Sequence, residues 1–203
     1  GDVYKRQAMG NGAQSTGSGS TALGRTAKAT NDGTVALGFN AEATGDHAIA
    51  IGGDGKGAAY DSTNTTFAGL NEKTTASAKN AVAVGHQATA SIAGGVALGS
   101  ESKTTKDAGE IGYNPATSRT NDYKNLTNNT KAALTSTRAA VSIGDDSAGI
   151  TRQLTGLAAG TQDTDAVNVA QLKAVNLKYA GDTGNSDVLL KDGTLNVKGD
   201  TKL

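Results

Sequence analysis

The chain has 203 residues, a length that ordinarily holds one or two globular domains, yet it lacks the bulky side chains from which such cores are built. Leu, Ile, Val and Phe together number 33, about 16% of the chain, whereas Gly, Ala and Thr make up about 44%. The formal charge is zero, from 19 basic and 19 acidic side chains, so neither the excess charge of a disordered chain nor the basic footprint of a nucleic-acid binder is present.

Residues 1–7 fit nothing that follows apart from Gln7, and their Val-Tyr-Lys-Arg-Gln run reads as a non-native tail. From residue 8 the chain repeats. Gly10, Gly24, Gly38 and Gly52 are each 14 residues apart, Gly85 and Gly99 are again 14 apart, and Gly144 closes a seventh unit. Each of these glycines follows a large apolar residue: Met9, Leu23, Leu37, Ile51, Val84, Leu98 or Ile143. Before that stands a small one, Ala8, Ala22, Ala36, Ala50, Ala83, Ala97 or Ser142. Before that again come Val35, Ile49, Val82, Val96 and Val141, after polar starts at Gln7 and Thr21. This is a short strand that is apolar on both faces.

Beyond the glycine the pattern alternates, as in Ala27-Lys28-Ala29, Ala41-Glu42-Ala43 and Ala88-Thr89-Ala90, and more weakly in Ala13-Gln14-Ser15 and Ser102-Lys103-Thr104. That is a half-exposed strand, small side chains inward and polar ones outward. Fourteen residues therefore predict two strands of about five residues joined by two tight turns, a coil stacked on the next at about 4.8 Å. The expected fold over residues 8–148 is all-β, a parallel β-solenoid with a glycine at the corner where a side chain does not fit or φ is unusual. A narrow coil has one interior, so the second apolar face of its first strand needs a cover. The Val, Ile and Leu ladder predicts an obligate homo-oligomer, with the stoichiometry left open.

Two longer gaps between glycines mark inserts near 53–80 and 103–139. They carry Tyr60, Phe67, Tyr113, Pro115 and Tyr123, and loops displayed from a rigid scaffold are where recognition usually sits. After Gly144 the period stops. Asp163 and Thr164 are candidate N-caps for a helix of about twelve residues whose apolar stripe holds Ala166, Val169, Ala170 and Leu172, in a segment spanning 149–176. So short a helix needs neighbours to hold it, its own symmetry mates being one source. Residues 177–203, with Leu189-Leu190, Asp192-Gly193 and Leu195-Asn196-Val197, read as short strands around a turn.

The coil motifs Val-Ala-Leu-Gly (35–38), Ile-Ala-Ile-Gly (49–52), Val-Ala-Val-Gly (82–85) and Val-Ala-Leu-Gly (96–99), followed by the run from Arg152 to Leu172, carry a resemblance. Over residues 8–176 the chain is similar to the head and neck of a trimeric autotransporter adhesin of the bacterial outer membrane. The resemblance implies a left-handed parallel β-roll head as a homotrimer and a neck with a short coiled-coil-like helix over 149–176. Residues 177–203 would begin a β-rich stalk connector. It also implies a surface-exposed passenger region that attaches to host extracellular-matrix proteins, cell-surface glycans or other cells, with a membrane link only through a C-terminal anchor beyond this chain. The N-terminus has no apolar signal-peptide core, so an exported protein would contain this chain as one piece.

Enzyme chemistry finds little support. The chain has no Cys, which excludes a disulfide scaffold and thiolate sites. His47 precedes one strand and His86 follows a corner glycine, neither with an acidic or nucleophilic partner at a motif spacing. Gly17-Ser18-Gly19-Ser20-Thr21-Ala22 fits a dinucleotide fingerprint only formally, since it lies in the repeat and opens no helix. Gly55-Lys56 lacks the rest of a phosphate loop, Gly52-Gly53-Asp54-Gly55 is a fragment of a calcium-roll motif, and the glycosylation-type triplets at Asn64, Asn125 and Asn128 are expected by chance. No catalytic residue, metal site or cofactor is therefore expected, and the ligand-binding residues are unknown. A structural spacer, a carbohydrate- or ice-binding solenoid and a solenoid acyltransferase are the competing readings. The outward column Gln14, Lys28, Glu42, Thr89 and Lys103 lacks the flat repeated threonines of an ice binder, and the acyltransferase needs a catalytic His and a hexapeptide period.

Overall fold

The computed structural model describes residues 5–53, 73–114, 133–180 and 185–189. They divide between two compact units, Gly1–Arg152 and Gln153–Leu203. The first unit is a parallel β-solenoid. Strands β1 (Gln7–Met9), β3 (Thr21–Leu23), β5 (Val35–Leu37), β7 (Ile49–Ile51), β9 (Val82–Val84), β11 (Val96–Leu98) and β12 (Val141–Ser142) form one seven-stranded sheet. Strands β2 (Gln14–Ser15), β4 (Lys28–Ala29), β6 (Glu42–Ala43), β8 (Thr75–Ala76) and β10 (Thr89–Ala90) form a five-stranded sheet. Neighbouring strands lie in the register set by the 14-residue period: Ala22 opposes Ala36, Ala36 opposes Ala50, and across the first insert Ala50 opposes Ala83.

The strands are three and two residues long, not five. The corners consume the difference. Each coil turns twice through bonds between residues three apart, as from Ala27 N–H to Gly24 O at 3.3 Å and from Ala48 N–H to Gly45 O at 3.0 Å. At Gly24 a Cβ would stand 2.3 Å from Gly38 O, and φ is +135°, so both expected reasons for the glycine hold together. Two residues on, Thr26, Asn40, Gln87 and Glu101 adopt φ of 54° to 59° although none is glycine. Left-handed backbone at a β-branched Thr is uncommon. Stacking enforces it, because Thr26 N–H donates to Asn11 O and Asn40 N–H to Arg25 O, both at 2.9 Å.

The interior is made of methyl groups. Ala27, Ala29, Ala36, Ala41, Ala43, Ala50, Ala83 and Ala97 are fully buried between the two sheets. Hydroxyls fill the remaining buried places, each with a local partner. Thr34 Oγ1 donates to Asn31 O and Thr74 Oγ1 to Gly85 O, both at 2.6 Å, and Ser102 Oγ donates to Leu98 O at 2.9 Å. Burial without such bonds would cost roughly 1–3 kcal/mol per group.

Several boundaries differ from the sequence reading. Gln7 opens β1 as its column in the repeat predicts, and the stack also takes in Lys5, expected to lie in the tail, whose carbonyl accepts from Gly19 N–H at 2.7 Å. At the first insert the chain is back in the stack by Thr74, so residues 74–80 belong to a coil. The helix is α1, Val169–Lys173, five residues in place of about twelve. Asp163 and Thr164 do not cap it. The Asp165 carboxylate is committed to a turn, accepting from Thr161 N–H at 2.8 Å and Gln162 N–H at 3.0 Å, which delays the helix until Asn168 caps it. Beyond it, β13 (Asn176–Ala180) and β14 (Asn185–Leu189) pair antiparallel. The strands expected around Asp192-Gly193 and at Leu195-Asn196-Val197 lie outside the described residues.

Candidate interaction surfaces

Because the central Ala of each three-residue strand points inward, the residues on either side of it point out. Val35 and Leu37, Ile49 and Ile51, Val82 and Val84, and Val96 and Leu98 therefore lie in register down one flank of the stack. Exposure along it is 71% at Met9, 46% at Leu23, 38% at Ile51 and 48% at Leu98. On a single chain this flank is apolar throughout, exposed at those four residues and half-buried at Val35, Leu37, Ile49, Val82, Val84 and Val96, and large apolar surfaces of that kind mark association surfaces.

The outer face of the second sheet is different in kind. Lys28 opposes Glu42 across one rung, and Glu42 also pairs with Lys73, where the chain returns from the first insert. Alternating sign on an outward face suits water and gives little stability per pair, roughly 0–1 kcal/mol.

The second insert leaves the stack as a two-stranded arm. Gly109 N–H donates to Ser136 O at 2.7 Å, Ser136 N–H to Glu110 O at 3.0 Å and Ala140 N–H to Lys106 O at 3.1 Å, with Ile111 bridged antiparallel to Thr135. Tyr113 is exposed on this arm, and Asn114 beside it is fully buried. Tyr60, Phe67, Pro115, Tyr123, Asn64, Asn125, Asn128 and Gly55-Lys56 lie outside the described residues.

In the second unit none of residues 153–175 is buried, and Leu154, Val167, Val169 and Leu172 all face solvent. Polar side chains hold the segment instead. Gln171 N–H donates to Asn168 Oδ1 at 3.0 Å, while Gln171 Oε1 accepts from Asn168 N–H and Gly160 N–H, both at 3.1 Å. Its Nε2 donates to Gly160 O at 3.0 Å, and Asn168 Nδ2 donates to Leu157 O at 3.2 Å. This is a capping box that also clamps the preceding loop. The Thr161 amide, then the Gln162 amide, hold the Asp165 carboxyl below its ordinary value. In the first unit the Ser147 hydroxyl does the same for Asp145, the N-cap of a single 3-10 turn over Asp146–Ala148.

His47 sits at a corner with φ of 57°, and His86 Nε2 is buried without a hydrogen-bond partner. The two are not brought together with carboxylates: among the described residues no group of three or more His, Cys, Asp or Glu is placed to hold a metal ion. Nor is any helix among them long and apolar enough to cross a membrane. An open cleft of about 300 Å³ at the base of the stack is lined by Lys103, Ser142, Ile143, Asp146, Ile150 and Arg152. Sequence reasoning did not single out Arg152 or Gln171 for a role. Both bond across loops with no repeat, so periodicity carries no signal for them.

A family model described as the YadA head domain repeat matches residues 8–27, 29–54 and 76–102, and one described as the coiled stalk of trimeric autotransporter adhesin matches residues 153–194. Trimeric autotransporter adhesin AtaA of Acinetobacter sp. (strain Tol 5) is 52% identical over 77 residues, 36% of this chain and 2% of that protein. Autotransporter adhesin BadA of Bartonella henselae is 49% identical over 80 residues, 39% of this chain and 2% of that protein. The chain thus spans about 2% of the length of these relatives. The crystal structure of the collagen-binding domain of Yersinia adhesin YadA aligns at 26% identity with 76% of this chain and 73% of that one, with a TM-score of 0.30.

Proposed function

Head repeats and a stalk segment of the trimeric autotransporter adhesin type follow one another in this chain, and on that footing we propose that it is the adhesive tip of a bacterial surface protein, acting as a homotrimer. The observation that carries the reading is the apolar flank from Met9 to Leu98, which a single chain leaves open on a scaffold matched by adhesin head repeats. Three copies seal it against one another. The trimer then presents three sets of insert loops to host matrix proteins or to neighbouring cells, and a weak contact repeated three times gains effective concentration without a deep pocket. Residues 149–176 act as its neck, and residues 177–203 as the start of a stalk connector. The tip stands outside the outer membrane, where binding and not catalysis is its work.

Light scattering of the chain gives about three times the 20.2 kDa chain mass, and a monomer at micromolar concentration removes the assembly reading. Leu37→Asp, which places a charge in the sealed flank, shifts the mass toward a single chain. Attachment is tested by binding of the trimer to surfaces coated with matrix proteins. Replacing residues 106–139 by a short Gly-Ser linker lowers retention there while the circular dichroism of the stack is kept.

A further inference from the structure

Inside the stack, corner carbonyls of one coil are met by amides of the next. Gly24 N–H donates to Met9 O at 2.9 Å, Gly38 N–H to Leu23 O at 2.7 Å, Gly85 N–H to Ile51 O and Gly99 N–H to Val84 O, both at 2.8 Å. Two residues along the corner, a parallel series runs from Thr26 N–H to Asn11 O and Asn40 N–H to Arg25 O, both at 2.9 Å, and from Glu101 N–H to His86 O at 2.7 Å. A solenoid that ends must finish both series, because open carbonyls at a β edge are either desolvated at a cost or paired by another chain.

At the base the next acceptors are Leu98, Ile143 and Ser100, and here the donors come from side chains. Ser102 Oγ donates to Leu98 O at 2.9 Å. Arg152 Nη1 donates to Ile143 O, and Arg152 Nη2 to Ser100 O. The same Nη1 reaches Ser102 Oγ at 3.2 Å, which links all three acceptors through one guanidinium. The placement also matches that of a missing corner. A Cβ on Gly85 would meet the Gly99 carbonyl carbon of the next coil at 2.5 Å, whereas a Cβ on Gly99 would meet Arg152 Nε at 3.2 Å.

We propose that Arg152 is the terminal cap of the solenoid: its planar guanidinium supplies, from one side chain, the donors that the next coil would have supplied. The rigid fork of Arg suits this because two carbonyls on different segments must be met at once, which a lysine ammonium on a flexible stem does poorly. The cap fixes where the stack stops and occupies the carbonyls of Leu98, Ser100 and Ile143, which a foreign strand would otherwise meet.

Native-state hydrogen exchange on the whole chain tests the cap, comparing the wild type with Arg152→Ala and Arg152→Lys. In Arg152→Ala the amides of Lys103 and Ile150 exchange on the order of tenfold to a hundredfold faster, while those of Val35 and Ile49 keep their protection. Arg152→Lys, which keeps the charge but not the fork, gives a smaller increase at the same amides. Unchanged exchange at Lys103 and Ile150 in both variants overturns the cap. So does an equal acceleration at Val35 and Ile49 in the Ala variant, because a base cap cannot protect the middle of the stack selectively. Should the Ala variant not fold, wild-type protection at Lys103 in Arg152→Lys overturns it.

Discussion

The β-solenoid and the segment that follows it solve the problem of order with opposite means. In the stack each rung buries alanines between two sheets, and among the described residues the fully buried polar side chains are hydroxyls and one amide. In residues 153–175 nothing is buried, and the backbone is held by Asn168, Gln171 and Asp165 acting on loop amides and carbonyls. A small-residue core works where it is repeated, since each coil contributes one more layer of the same contacts. A short unrepeated segment with its apolar side chains outward is ordered within one chain by polar caps.

Changes to the repeat should therefore be felt far more than changes to the caps. Gly24→Val puts a β-branched side chain at φ +135° with its Cβ 2.3 Å from a carbonyl of the next coil. It should cost more than about 3 kcal/mol and abolish the β signal of the stack in circular dichroism. If Gly24→Val melts within a few degrees of the wild type, the close packing of rungs is not what orders this unit.

Gln171→Ala removes the capping box and the clamp on Gly160 together. About 1–3 kcal/mol of local stability is expected to go, read as faster amide exchange at Gly160 and Asn168 with the solenoid unchanged. Acid separates the two regions in another way. The Asp165 carboxyl is lowered from 3.8 in the folded chain, so its stabilisation is complete above that value and is lost as pH falls through the lowered folded value. Titration from pH 7 to about 4 should leave the turn at 161–165 intact, and further acidification should open it before the alanine rungs lose their β signal. Asp145, lowered for the same kind of reason, puts one comparable acid-sensitive turn at the base of the stack. The smallest effect belongs to the outer face: Glu42→Gln breaks the pair with Lys73 and should change the melting free energy by less than about 1 kcal/mol.

Most of the solenoid could be read from the chain alone, and the reason lies in particular columns. Ala36, Ala50 and Ala83 are neighbours in space because they are equivalent in the repeat, so aligning the sequence on its glycines is the same operation as stacking the coils. The apolar flank followed from the same columns, since Val35 and Leu37 cannot both point inward with Ala36. Less could be read at the corners. The left-handed backbone at Thr26 and Gln87 contradicts local preference and is enforced only by the rung next to it. The helix start was misplaced because Asp163, Thr164 and Asn168 are all acceptable caps by residue type, and only the diversion of Asp165 into a turn decides among them.

By itself, then, the order of residues determined the period, the alanine interior, the position of the corner glycines and the existence of an uncovered apolar flank. Each of these is a relation between residues one repeat apart. The tertiary structure alone decided the strand lengths, the point at which the first insert rejoins the stack, the clamp by Gln171 and the closure of the base by Arg152. Those depend on groups that meet without any period, as Arg152 meets Ser100 across 52 residues, and a meeting of that kind leaves no mark in the pattern of the chain.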